Sequence, residues 1–141
     1  MTYEYLEHQA DFGILAIGST LEEAFQDGAK AMFNIMVPLA EVKPAREILV
    51  EAEANDIAAL FVEWLNKLLT EKDMKEMLFS SFKVTEIIKK DGQFHLKGTA
   101  LGEKLDLKKH HVKTEVKAAT YAGLKYEIKN KKHHLQCVVD V

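Results

Sequence analysis

The side chains with the most chemical reach lie near the two ends of the chain. Asp11-Phe12-Gly13 puts a carboxylate in a polar break, His8-Gln9-Ala10-Asp11, between two apolar stretches. The triplet resembles the metal-binding Asp-Phe-Gly of protein kinases, but the strand lysine and His-Arg-Asp loop that a kinase needs are missing. What remains is an aspartate in a tight turn, where its side chain can bond its own backbone. At the other end, Asp140-Val141 follows the apolar run Cys137-Val138-Val139. A terminal α-carboxylate held at a strand end would sit beside the Asp140 carboxylate. If Asp11 came close in space, three oxygen-bearing groups would converge and repel one another. A hard cation such as Ca²⁺ or Mg²⁺, which prefers carboxylate and carbonyl oxygen, would relieve that repulsion. Sequence alone does not bring Asp11 to Asp140.

Other reactive residue types form weaker patterns. His110-His111 and His133-His134 could suggest zinc. Adjacent residues on a strand point to opposite faces and cannot chelate one ion, and a single cysteine leaves the usual zinc ligand set short. These histidines are expected at the surface or at strand edges. Cys137, in an apolar strand, is expected to be a buried and inert thiol. Nine lysines between Lys104 and Lys132 could follow a phosphate backbone. The chain has only one arginine, Arg46, which weakens a nucleic-acid reading, and Phe79, Phe82, Phe94, Tyr121 and Tyr126 are explained more simply as core. No nucleophile elbow or phosphate-cradling glycine loop is present.

The elements that must position these groups follow from periodicity. Tyr3 to His8 and Phe12 to Ile17 read as two short strands. Thr20 and Glu23 form a capping box, with the glutamate expected to return a bond to the Thr20 backbone. Leu21, Phe25, Ala29, Met32, Phe33 and Met36 continue at helical spacing until Pro38. Arg46 to Glu53 alternates Ile48, Val50 and Ala52 with glutamates, as in a half-buried strand. Asn55 or Asp56 can cap a second helix whose Ile57, Leu60, Phe61, Trp64, Leu65, Leu68 and Leu69 share one face. Phe79 to Lys89 and Gln93 to Leu101 flank the hairpin turn Asp91-Gly92. Val112 to Asn130 and Leu135 to Val141 read as a later long pair. The order β-β-α-β-α followed by four strands predicts an α+β fold, one domain over residues 1–141, with a largely antiparallel sheet and two helices packed on it.

Composition bounds the function. The 141 residues are 48% hydrophobic and 29% charged, ordinary for a globular chain. Residues 1–70 carry 4 basic and 12 acidic side chains, whereas residues 71–141 carry 15 and 10. The net charge of -3 therefore hides an acidic half joined to a basic half. No apolar run is long enough for a membrane span, the first residues lack the pattern of a signal peptide, and one cysteine suits a reducing compartment. A cytoplasmic protein is expected.

Taken together, these residues resemble the archease family. Tyr5-Leu-Glu-His-Gln-Ala-Asp11-Phe-Gly-Ile14 is similar to its opening signature, Thr20 to Phe25 to its first helix start, and Phe61 to Leu69 to its second helix. Gly102-Glu103, Asp106, His110, Val112 to Ala118, Thr120-Tyr121 and Val139-Asp140-Val141 resemble its later motifs in the same order. The resemblance covers essentially the whole chain. It implies a protein cofactor, with no catalytic motif of its own, for the RtcB-type RNA ligase of tRNA splicing, promoting ligase guanylylation and multiple turnover. It also implies a divalent cation, most simply Ca²⁺ with Mg²⁺ or Mn²⁺ as alternatives, bound by residues matching Asp11, Asp140 and Val141. The ligase would be met through transient protein–protein contact, with direct RNA binding secondary. Two positions depart from the family pattern: Ala122 stands where a histidine is common, and His111 where proline is common. A small metal-dependent hydrolase with His8 as base, or an RNA-binding or chaperone module using the lysines, are the competing readings.

Overall fold

The computed structural model describes residues 2–8 and 11–141; Gln9 and Ala10, the middle of the expected polar break, lie outside them. Strand β1 (Thr2–His8) pairs antiparallel with β2 (Asp11–Gly18). Helix α1 (Leu21–Met36) follows, capped where expected: the Thr20 hydroxyl accepts from Glu23 N at 3.1 Å. The return bond runs from Ser19 N, not Thr20 N, to the Glu23 carboxylate. A 3-10 turn at Leu39–Glu41 leads to strand β3 (Arg46–Ala54). Asp56 caps α2 (Ile57–Lys75) by accepting from Ala59 N at 2.8 Å, and Glu76 ends the helix in the left-handed region.

Strands β4 (Met77–Lys90) and β5 (Gln93–Lys104) form the expected hairpin. Its turn residues Asp91 and Gly92 have φ of 53° and 79°, the positive values that favour these residue types. Strands β6 (Ala118–Lys129) and β7 (Lys132–Asp140) make the last pair around Asn130-Lys131. All the pairings are antiparallel, and the α+β architecture is as expected. The strands divide between two sheets, of order β1-β2-β7-β6 and β3-β5-β4.

Both helices bridge the sheets: α1 packs on β2 and β4, and α2 on β3 and β6. The core between them includes Phe25, Phe33, Phe61, Trp64 and Phe79, none with exposed surface. Burying a large apolar side chain contributes roughly 1.5–3 kcal/mol, so this shared core is what holds the two sheets together. The helices cross closely because residue 28 is glycine; a Cβ there would collide with the Phe61 ring. Trp64 secures the crossing by donating from Nε1 to the Phe25 carbonyl at 3.0 Å. Among the described residues, no helix is long and apolar enough to cross a membrane.

The largest departure from expectation is the segment 105–117. Val112 to Lys117 alternates Val112, Thr114 and Val116 with charged residues and reads as strand, yet it forms an irregular loop between β5 and β6. Its backbone donors find partners elsewhere: Lys113 N bonds the Met36 carbonyl at 2.7 Å and Lys117 N bonds the Asp140 carbonyl at 2.8 Å. The loop therefore ties the C-terminal end of α1 to the end of β7.

Candidate functional site

The β2–β7 register brings the two ends of the chain together. Phe12 pairs with Val139, Ile14 with Cys137 and Ala16 with Leu135. Ile14, Ala16, Leu135, Cys137 and Val139 are fully buried, so these positions face the helices. The next positions along the two strands are Asp11 and Asp140, which by alternation fall on the sheet face away from the helices. Neighbours across an antiparallel ladder lie ~4.5–5.5 Å apart at Cα, within easy reach of one cation for two carboxylates. Asp11 is half-buried and Asp140 exposed.

Four contacts hold this end of the sheet. His8 is the backbone partner of Asp11 in the β1–β2 ladder. Ala118 pairs with Asp140 across β6–β7, and Lys117 N bonds the Asp140 carbonyl. The Val141 side chain packs against the core. Behind β6, Asn66 of α2 mimics a neighbouring strand: its Oδ1 accepts from Ala119 N at 2.8 Å and its Nδ2 donates to the Ala119 carbonyl at 3.0 Å. Among the described residues, no three His, Cys, Asp or Glu side chains gather as a metal site. A cation held by Asp11 and Asp140 would have to take its remaining donors from main-chain oxygen, water or a partner. That all-oxygen donor set suits Ca²⁺, Mg²⁺ or Mn²⁺ and not the sulfur and imidazole preferences of zinc.

Two carboxylates pin the 105–117 loop beside this end. Glu103 accepts from Lys109 Nζ at 2.6 Å, from Lys43 N at 2.9 Å and from His110 Nε2 at 2.9 Å. The Lys109 ammonium, then Lys43 N and His110, hold its carboxyl down at about 2, well below the usual glutamate value. Glu41 accepts from His111 N at 2.7 Å and His111 Nδ1 at 2.6 Å, and the backbone bond is the leading cause of its lowered carboxyl. His110 is buried, contrary to the surface position expected of it. Its Nδ1 accepts from Asp106 N at 3.0 Å, so Nε2 carries the proton given to Glu103. His111 is exposed as expected, but it lies in the loop and not on a strand.

The remaining candidates sort plainly. Cys137 is fully buried, and that burial pushes its thiol up to about 12, an inert group. Phe79 and Phe82 are core, and Phe94 and Tyr126 pack against it. Tyr121 is instead 57% exposed, its hydroxyl donating to Glu63 at 2.9 Å. Ala122 is exposed in the irregular stretch where the β6–β7 register shifts between Thr120 and Lys125. Glu41 and Asn66 have no local motif: each acts on a residue more than 50 positions away. Glu103 and His110 stand within a recognisable motif, but their pairing is visible only in three dimensions.

The class of protein is an α+β fold of two antiparallel sheets and two helices, with Asp11 and Asp140 adjoining the Phe12–Val139 pair at one sheet end. The chain belongs to the archease family: residues 3–141 match the Archease protein family (MTH1598/TM1083). It is 43% identical over 125 residues to protein archease of Pyrococcus furiosus, covering 89% of this chain and 87% of that one. Identity to protein archease of Methanosarcina mazei is 40% over 139 residues, 99% and 95% of the two chains. The solution structure of Methanobacterium thermoautotrophicum protein 1598 superposes with a TM-score of 0.86 at 36% identity, covering 99% of this chain and 98% of that one. The Thermotoga maritima archease, described as a possible chaperone, shares the fold at a TM-score of 0.59 and 18% identity, over 98% and 96% of the chains.

Proposed function

We propose that this protein is a non-catalytic activator of an RtcB-type tRNA-splicing RNA ligase, promoting its guanylylation and multiple turnover in the cytoplasm. The observation that carries the reading is family membership over residues 3–141, supported by a β2–β7 register in which Asp11 and Asp140 are the residues adjoining the Phe12–Val139 pair. Asp11 and Asp140 would hold a divalent cation, most simply Ca²⁺, with Val141 adding its α-carboxylate or carbonyl. When bound, the cation supplies positive charge that can organise phosphate oxygens.

The chain's own residues then have distinct tasks. Asp11 and Asp140 neutralise and orient the ion on an open sheet face, where a partner can reach it. Ala118, Lys117 N and the Asn66 clamp fix β6 and β7 so that the Asp140 backbone does not fray. A network of this kind limits the reorganisation needed when a partner docks, which is where preorganisation contributes to affinity. Direct contact with RNA is secondary in this reading.

The test compares the ligase alone with the ligase plus this protein at substrate in excess. Ligation that stops after about one turnover without the protein and continues with it supports activation. Equal turnover with and without it overturns the reading.

A further inference from the structure

The 105–117 loop has a construction that the cation site does not explain. Thirteen residues without regular structure are uncommon in a compact fold and usually carry a function. This one is fastened at many points. Leu105 N bonds the Glu76 carbonyl at 2.9 Å, Glu103 and Glu41 grip His110 and His111, and the Lys113 and Lys117 amides bond Met36 and Asp140. At its tip Asp106 closes a turn, its Oδ1 accepting from Lys108 N at 2.9 Å and its carbonyl from His110 N at 2.8 Å.

That rigid frame presents apolar surface to solvent. Leu107 at the tip is 77% exposed, with Val112 at 46% and Leu105 at 42%. Around them, residues 104–117 carry five lysines against two carboxylates; with Lys109 paired to Glu103, Lys104, Lys108, Lys113 and Lys117 still outnumber Asp106 and Glu115. The loop also runs into the paired-aspartate end. Its Lys113 and Thr114 line a cleft of about 240 Å³ with Tyr5 and Phe12, and Phe12 is the residue after Asp11.

We infer that this loop is the docking element for the partner protein, with Leu107 entering an apolar pocket ringed by carboxylates and Lys108 pairing with that acidic rim. The inference rests on the ligase reading above and names where the ligase is gripped. Charge complementarity selects an acidic surface, and the exposed leucine at the centre of the lysines selects a protein over a nucleic acid. A nucleic-acid site of this charge would use arginine forks or aromatic stacking, and residues 105–117 contain no Arg, Phe, Tyr or Trp. Fixing the loop before the encounter lowers the ordering cost of docking.

The experiment measures the affinity of the full-length protein for RNA-free ligase by calorimetry at low and high salt. The variants are Leu107→Ser, Lys108→Glu, their combination, and Ile128→Ser, an apolar residue of β6 that is 63% exposed and outside the loop. Circular dichroism melting verifies folding, and the single variants keep the test intact if the double variant is unstable. The double variant is expected to weaken binding at least tenfold, Lys108→Glu to flatten the salt dependence, and Ile128→Ser to bind as wild type does. Wild-type affinity in every loop variant overturns the docking assignment and leaves the ligase reading standing. Equal weakening by Ile128→Ser also overturns it. Loss of RNA retention on filters with unchanged ligase affinity assigns the loop to nucleic acid instead. No binding by the wild-type protein overturns both the loop assignment and the ligase reading.

Discussion

His110 gives its Nε2 proton to Glu103 at 2.9 Å from a side chain with no exposed surface, and the same glutamate takes Lys109 Nζ at 2.6 Å. One carboxylate thereby neutralises the loop's basic root and fixes the imidazole that folds the Asp106 turn. The sign of its pH dependence follows. A carboxyl held at about 2 in the fold against 4.5 unfolded contributes stability that is present above 4.5 and lost as pH falls toward 2. Asp27 works in the opposite direction, because burial raises its carboxyl. The contribution of Glu103 is therefore read as a difference: the melting temperature of wild type minus that of Glu103→Gln. The gap is expected to be largest near neutral pH and to close in acid. A gap independent of pH would mean that the carboxylate charge does not hold the loop.

The Asn66 clamp is the support that joins the second helix to the site. Asn66→Ala removes two hydrogen bonds from Ala119, a loss of about 1–3 kcal/mol in unfolding free energy. Amide hydrogen exchange at Ala119 should accelerate more than exchange in β4 or β5, because the damage is local to β6. Uniform acceleration across both sheets would contradict a local clamp.

Gly28 marks the helix crossing. Gly28→Ala puts a methyl group into the Phe61 ring, and overpacking of this kind costs about 1–3 kcal/mol despite the better helix propensity of alanine. The urea midpoint is expected to fall with an unchanged slope. A rise in the midpoint would mean that the helices stand farther apart than described.

Local signals reached most of the elements. The Thr20 cap, the Asp56 cap, the apolar face of α2 and the Asp91-Gly92 turn each depend on residues a few positions apart, and each appears where periodicity and turn chemistry put it. Residues 112–117 read as strand, against the loop they form, for the complementary reason. Val112 and Val116 alternate with charged residues as a strand would, while the groups that draw this segment out of a sheet are Glu41, Met36 and Asp140, distant in sequence. The buried place of His110 was hidden in the same way, since a histidine beside lysines looks solvated until its glutamate partner is found. Asp11 and Asp140 were legible as chemistry but not as neighbours. That each adjoins the Phe12–Val139 pair is a consequence of strand order β1-β2-β7-β6, which no local pattern encodes.

The most direct measurement is ligase turnover with substrate in excess, in calcium, for wild type, Asp11→Ala, Asp140→Ala and a variant lacking Val141, alongside calcium binding by calorimetry. Asp11 and Asp140 are solvent-accessible to differing degrees and outside the apolar core, so their alanine variants are expected to fold, and circular dichroism melting verifies the variant lacking Val141, whose side chain packs against the core. Each should lose calcium binding and, with it, at least tenfold in multiple turnover, while first-turnover ligation by the ligase itself is unaffected. Undiminished multiple turnover in all three variants would contradict activation through the paired-aspartate site.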